Sequence, residues 1–436
     1  MMPSDKQRGA TQRKATSRRS FLRNSTAATA AAVSLASLDV SRFAHAAGSD
    51  IIKVGLIGCG GRGTGAAAQS VRAAPNMRLY AMADLFRDKL DRSLATLRKT
   101  VPDKVEVSED RCFTGFDAYK HVIECCDVVL LCTPPHFRPE HLRAAVEAKK
   151  HIFAEKPVAV DAPGVRSVWE SCQKAKEYGI AVVSGLCWRY HYGVRETMKR
   201  VLDGEFGDII ALQTNYVVGY LWSVPRKPGW SDMEWQCRNW LYFQWLSGDH
   251  IVEQHIHSLD KMAWAMGDTY PVKAWGLGGR QVRVEPIYGN IYDHHAVVFE
   301  FANGVRCFSY CRQISGCYND VSDHIFCTKG HVDVLKHRAT YKGKTVWRYR
   351  GKSNNMYQTE HDEMMQSIFD GKPINNGEYM TKSTMMAIMG RMATYTGQVV
   401  TWEQAWNSKQ RLGPDKYEWG PVEIQPVAKP GRTPLV

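Results

Sequence analysis

The 436-residue sequence has no apolar run long enough to cross a membrane, which excludes an integral membrane protein built on spanning helices. It contains no C-x-x-C pair among its 12 cysteines, so neither a dithiol redox motif nor a zinc ribbon is written into it. No repeat of 20–50 residues and no long low-complexity segment occurs, which excludes solenoids and propellers. A concentrated positive charge is also missing. The formal net charge is +13, but residues 1–46 alone hold eight Lys/Arg against two Asp/Glu. The remainder is only mildly basic, and nucleic acid is not an expected partner.

Those first 46 residues have an order of their own. Arg18 and Arg19 sit in S-R-R-S-F-L-R, an Ala-rich run follows from Ser25 to Leu38, and A-H-A closes the segment at 44–46. A basic stretch, a short apolar stretch and a small-x-small cleavage pattern in sequence make a twin-arginine signal peptide. The expectation is export by that route to the periplasm, leaving no stable membrane span after processing. The cysteines lie in apolar surroundings such as C-C-D-V-V-L-L-C at 125–132, and read as buried thiols. A cluster of Cys307, Cys311, Cys317 and Cys327 is poorly spaced for zinc.

After the signal the chain reads I-I-K-V-G-L-I-G-C-G-G-R-G-T-G. An apolar strand runs straight into G-x-G-x-x-G, formed by Gly58, Gly60 and Gly63, with Gly61 and Arg62 inside the turn. A helix-compatible segment follows. Such glycines allow a tight turn and bring backbone N–H groups at a helix N-terminus close to a pyrophosphate. The next strand, M-R-L-Y-A-M-A-D, ends in Asp84, 21 residues after Gly63. A carboxylate there accepts a ribose hydroxyl and repels a 2′-phosphate, so NAD is favoured over NADP, although Arg87 lies nearby. The strand C-D-V-V-L-L-C-T-P-P delivers Thr133 and Pro134 to the same sheet edge, and H-I-F-A-E-K-P delivers Glu155 and Lys156.

G-x-G-x-x-G, an acidic end to the second strand, T-P-P and then A-E-K-P together resemble the Gfo/Idh/MocA oxidoreductases. The segment G-L-C-W-R-Y-H-Y-G-V is similar to that family's G-x-x-x-R-Y, and V-L-D-G-E-F-G-D-I-I-A-L-Q to its entry into a second domain. The resemblance implies an α/β fold: a Rossmann domain with a parallel sheet over 51–185, and a substrate-binding and oligomerisation domain over 186–436 with a large open, mostly antiparallel sheet. It also implies a homo-oligomer and NAD-dependent oxidation of a secondary hydroxyl on a sugar, cyclitol or glycoside. Cofactor contacts fall on Gly58, Gly60, Gly61, Arg62, Gly63, Asp84, Thr133, Pro134, Glu155 and Lys156.

The segment L-S-G-D-H-I-V-E-Q-H-I-H-S-L-D-K-M-A-W-A-M-G predicts one continuous helix, because Val252, Ile256, Leu259, Ala263 and Met266 make a core stripe. Glu253, His257 and Asp260 lie on the neighbouring stripe. The resemblance makes His257 the acid/base, Lys156 its partner at the substrate hydroxyl, and the carboxylate an orienter or substrate ligand; the family has Asp where this sequence has Glu253. Imidazole suits proton removal at neutral pH, and an ammonium stabilises a developing alkoxide. His250, Glu253 and His257 also have a spacing that could meet one metal ion, though no metal is expected. Arg189, Tyr190 and Asp260 are expected at the substrate. Trp240 joins them, because five of the 13 tryptophans fall between 222 and 245, where flat rings beside Arg and Asn suit a sugar. Two other readings stay open: an NAD-dependent glycosidase using transient oxidation, and a non-catalytic sugar or nucleotide sensor.

Overall fold

The computed structural model describes residues 51–436. The twin-arginine segment lies outside the described residues.

Six short strands build the first sheet: β1 (Ile52–Ile57), β2 (Met77–Asp84), β3 (Cys112–Thr114), β4 (Val128–Leu131), β5 (His151–Ala154) and β6 (Val182–Ser184). All neighbouring pairs are parallel, in the order β3-β2-β1-β4-β5-β6. Helices on both faces leave these strands mostly apolar, and β4 and β5 are buried at every residue. The strand order reverses between β1 and β4, so the loops after Ile57 and Leu131 open side by side. Ligands bind at such a switch point in doubly wound sheets.

The second sheet has nine strands: β7 (Ile209–Val218), β8 (Lys273–Gly279), β9 (His294–Glu300), β10 (Arg306–Gln313), β11 (Asp320–Cys327), β12 (Gly330–Asp333), β13 (Arg338–Tyr341), β14 (Lys344–Arg348) and β15 (Val400–Thr401). Their order is β14-β13-β12-β11-β7-β10-β9-β8-β15, and only β7 with β10 runs parallel. A hairpin at Asn303-Gly304 joins β9 and β10, with Gly304 in the left-handed region at φ 84°. Side chains alternate along the strands. Val297, Phe299 and Cys307 face helices and are buried, whereas Leu277 is 78% exposed on the open face.

The chain's last long helix, Gly377–Thr396, packs against both β8 and the helix Ala162–Glu177. It is buried nearly all round, so its methionines are core rather than a surface stripe. Each fully buried Met or Leu contributes about 1.5–3 kcal/mol. Helix Met356–Phe369 packs against Gly61–Arg72, the helix that follows the glycine turn. The expected thiols are present, most of them buried and none in a disulfide among the described residues.

Candidate active site

The glycines differ in what they are for. A Cβ on Gly58, whose φ is 100°, would meet the backbone of Cys132 and Thr133 at 2.6 Å. One on Gly63 would meet the carbonyl oxygen of Gly58 at 2.0 Å. Both are required by the fold itself. A Cβ on Gly60 or Gly61 would meet nothing within 4 Å, so these two keep open the space in front of the helix Gly61–Arg72. That helix has no side-chain cap and no acidic residue in its first turn, which leaves its positive end available to an anion.

A cavity of about 740 Å³ opens there, lined among others by Gly58–Thr64, Asp84, Thr133 and Pro134. Asp84 accepts the backbone N–H of Cys59 at 2.7 Å and of Phe86 at 2.9 Å. Its carboxylate thereby shapes the glycine turn while facing the cavity. Burial raises its pKa, opposed by Lys89. Arg87 turns away to the surface, paired with Asp91 and Glu109, whereas Lys89 and Arg92 line the cavity. These groups fit a dinucleotide: an uncapped helix end for the pyrophosphate and a carboxylate for a ribose hydroxyl.

Arg62 borders the cavity, but its guanidinium is spent on two carboxylates. Its Nε donates to Glu155, and Nη2 donates to Glu360 at 3.0 Å. Glu155 and Glu360 are both buried. Burial first, then Glu155, raises the Glu360 pKa well above the ordinary carboxylate range. This triad ties the glycine turn to the Glu155-Lys156 loop and to helix Met356–Phe369. Arg138, not singled out from the sequence, does a similar service. Buried, with its pKa lowered by that burial to about 10, it donates to the carbonyls of Thr133 and Pro157 and so joins two loops of the sheet edge.

Lys156 reaches the second domain. Its ammonium donates to the backbone carbonyl of Glu253 at 2.6 Å and to its carboxylate at 3.2 Å. The expected continuous helix is broken here. A short helix, His250–Glu253, ends where the His250 carbonyl accepts both the Gln254 and the His255 N–H, and a new helix runs Ile256–Ala265. Side chains at both ends pull it apart: His255 is drawn into the core to Ser309 at 2.8 Å, and His250 to Asp249 at 2.8 Å. His257 lies in the first turn of the second helix, and its Nδ1 has no hydrogen-bond partner among the described residues. Below it Lys261 donates to the His257 carbonyl at 3.0 Å and pairs with buried Asp323 at 3.0 Å. Burial holds the His257 pKa well below its ordinary 6.5, helped by Lys156, Lys261 and Arg62. Tyr216, also missed from the sequence, stands on this side. Its pKa is raised by burial and then by Glu253 and Asp323.

Three of the four residues expected at a substrate are engaged by protein partners. Arg189 grips Asp260 through Nε and Nη2, pairs with Asp268 at 2.6 Å and lies 3.9 Å over the Tyr379 ring. Asp260 is 1% exposed and also accepts from Ser383. Tyr190 is 3% exposed, with its hydroxyl on Asn376. These three hold helices together and have no free group for a substrate. Trp240 lines the nucleotide cavity, together with Trp222. The metal alternative is not assembled either. His250 faces Asp249 and His295, the only described groups able to meet one ion, while Glu253 faces Lys156. The four cysteines considered for zinc do not converge: Cys307 and Cys311 are buried, and Cys317 is exposed.

Fold and site therefore define a Rossmann-type dinucleotide-binding protein with a second open-sheet domain. Residues 52–182 match the GFO_IDH_MocA family model, described as an oxidoreductase family with an NAD-binding Rossmann fold. The chain is 27% identical over 178 residues to the 2,7-anhydro-N-acetylneuraminate hydratase of Escherichia coli (strain K12), covering 41% of this chain and 43% of that protein. It is 27% identical over 219 residues to the myo-inositol 2-dehydrogenase of Thermotoga maritima, covering 50% and 55%. These matches span about half the length of the curated relatives. The crystal structure of scyllo-inositol dehydrogenase from Lactobacillus casei, with bound NAD(H) and scyllo-inositol, superposes with a TM-score of 0.60 at 17% identity. It covers 81% of this chain and 100% of that one, and shows the shared fold. The family model and the relatives support the family named from the sequence, and NAD as the cofactor.

Proposed function

We propose that the whole chain is a Gfo/Idh/MocA oxidoreductase that removes hydride from a secondary hydroxyl carbon of a sugar or cyclitol. The observation that carries this is the contact of Lys156 with Glu253 beside His257, on a loop that Glu155 ties to Arg62 of the glycine turn. Bound NAD would supply the hydride acceptor. Gly58–Gly63 and Asp84 hold it; Glu155 and Arg62 fix the loop that carries Lys156. His257, neutral because burial and three cations oppose its protonation, takes the hydroxyl proton. The Lys156 ammonium stabilises the developing alkoxide. Glu253 orients Lys156 and lies where it can also accept a neighbouring hydroxyl.

We further read the protein as exported and periplasmic, on the order of residues 1–46. We read it as a homo-oligomer, on the exposed apolar face of the nine-stranded sheet, where Leu277 on β8 and Tyr310 on β10 flank Ala296 of β9. A second reading has one specific support. A relative is named a hydratase, an activity with no net change in oxidation state, and on this reading hydride returns to the same substrate after a lyase or hydrolytic step. The test is a panel of sugars, cyclitols, anhydro-sugars and glycosides, followed both for NADH formation and for product structure. NADH with a ketone product supports the lead reading. A redox-neutral product that still requires NAD supports the second. No turnover of any member in the presence of NAD would contradict both.

A further inference from the structure

The nucleotide cavity has a wall that the parallel-sheet half does not supply. Val224, Arg238 and Trp240 line it together with Asp84 and Phe86. The Arg238 guanidinium lies 3.8 Å over the Phe86 ring and 4.8 Å over Trp230. It also pairs with Glu234 at 2.9 Å and with Asp88 at 3.1 Å, so one side chain stitches the second domain to the first turn of helix Arg87–Thr100, just after β2.

The C-terminal tail backs this wall. Beyond helix Trp402–Asn407 the chain has no regular structure, yet it is held at every few residues. The Leu412 N–H donates to Asp161 at 2.9 Å. The Tyr417 hydroxyl and His136 Nε2 share a hydrogen bond of 2.8 Å. The Tyr417 ring packs on Phe116 and Phe137, and the Trp419 ring on Phe86 and Phe116. Farther on, the Met233 N–H donates to the Gly420 carbonyl at 3.1 Å, and Gln236 to the Val422 carbonyl at 2.8 Å. Phe86, Phe116 and Phe137 all line the cavity. The tail thus spans from the nucleotide domain to helix Asp232–Arg238 and clamps the same rings that face the ligand.

We propose that residues 412–422, with Arg238, form a retaining wall over the Asp84 end of the dinucleotide site, and that bound nucleotide leaves only when this tail detaches. The proposal rests on the reading of the cavity as a dinucleotide site, and not on the identity of the substrate. Stacked rings and a stacked guanidinium make a wall that is stiff as well as apolar. With ordinary association rates of about 10⁵–10⁷ M⁻¹s⁻¹, retention for hours corresponds to a Kd of roughly nanomolar or below.

The test uses the full chain and no sugar. NADH is loaded, free nucleotide is removed, and release is followed by NADH fluorescence during a chase with excess NAD. The unmodified protein is expected to hold NADH through desalting. Trp419→Ala should release it at least about tenfold faster, a loss of about 1.4 kcal/mol in the barrier. Trp419→Phe, which keeps a ring against Phe86 and Phe116, should restore most of the retention, and thermal denaturation should show both variants folded. Release from the unmodified protein within seconds, or identical release rates in Trp419→Ala, would overturn the proposal. Failure to bind NADH at all would overturn the dinucleotide reading with it, a result distinct from rapid release.

Discussion

Lys156 and Glu253 meet across the two domains, ammonium to backbone carbonyl at 2.6 Å and ammonium to carboxylate at 3.2 Å. The main-chain contact means that the lysine is held even when the carboxylate is neutral. Lys156→Ala should lower kcat by about 10²–10³, the usual loss when one stabilising donor is removed. Glu253→Gln should cost less, because the carbonyl contact survives. Steady-state kinetics separate the two roles: a change confined to KM in Lys156→Ala would make it a binding residue only.

Gly60→Ala and Gly63→Ala should fail in different ways. At Gly60 a methyl group meets no protein atom within 4 Å, so the variant should unfold at the native temperature but bind NAD weakly. At Gly63 the methyl would lie 2.0 Å from the Gly58 carbonyl oxygen, so stability itself should fall. Thermal denaturation and NAD titration of both variants check the contrast.

His257 should give an unusual pH profile. Its pKa is depressed, so it is neutral, and able to accept a proton, well below pH 6.5. The acid limb of kcat/KM should therefore lie below 6.5, and Lys156→Met, which removes a neighbouring positive charge, should move it upward in whatever activity remains. Folding is affected in the same direction. His141 and His361 are lowered by burial to about 3, and His151 to about 4. The unfolded chain binds these protons from about pH 6.5 downward and the folded one does not, so their effect is to lower stability progressively as pH falls from 6.5 towards 4. Urea midpoints across that range measure it.

Asp260→Asn should destabilise the protein more than it changes KM. Arg189 would keep Asp268 but lose its buried partner, and breaking a buried pair costs about 3–5 kcal/mol. A large rise in KM at unchanged stability would instead return Asp260 to the substrate.

The nucleotide half was legible because its signals are local. A strand, three glycines and an acid 21 residues on occupy one short stretch, and backbone sterics dictate each glycine. The broken helix was not legible, because the apolar stripe from Val252 to Met266 continues through the break. What interrupts it is the pull of His250 and His255 towards Asp249 and Ser309. Arg189, Tyr190 and Asp260 showed their residue types but not their partners, and Tyr379, Ser383 and Asn376 lie far along the chain. The same holds for Arg62 and Glu360, 298 positions apart. The tryptophan-rich loop announced a pocket wall, but nothing local said that the pocket was the nucleotide's.

The most direct test of the catalytic account is single-turnover reduction of bound NAD by a cyclitol or sugar found in the substrate panel, using substrate deuterated at the carbinol carbon. The account predicts that deuterium appears on the nicotinamide and that His257→Ala slows this step by about 10²–10⁴ while nucleotide stays bound. Transfer at the unmodified rate in His257→Ala, or NADH carrying no deuterium, would contradict it.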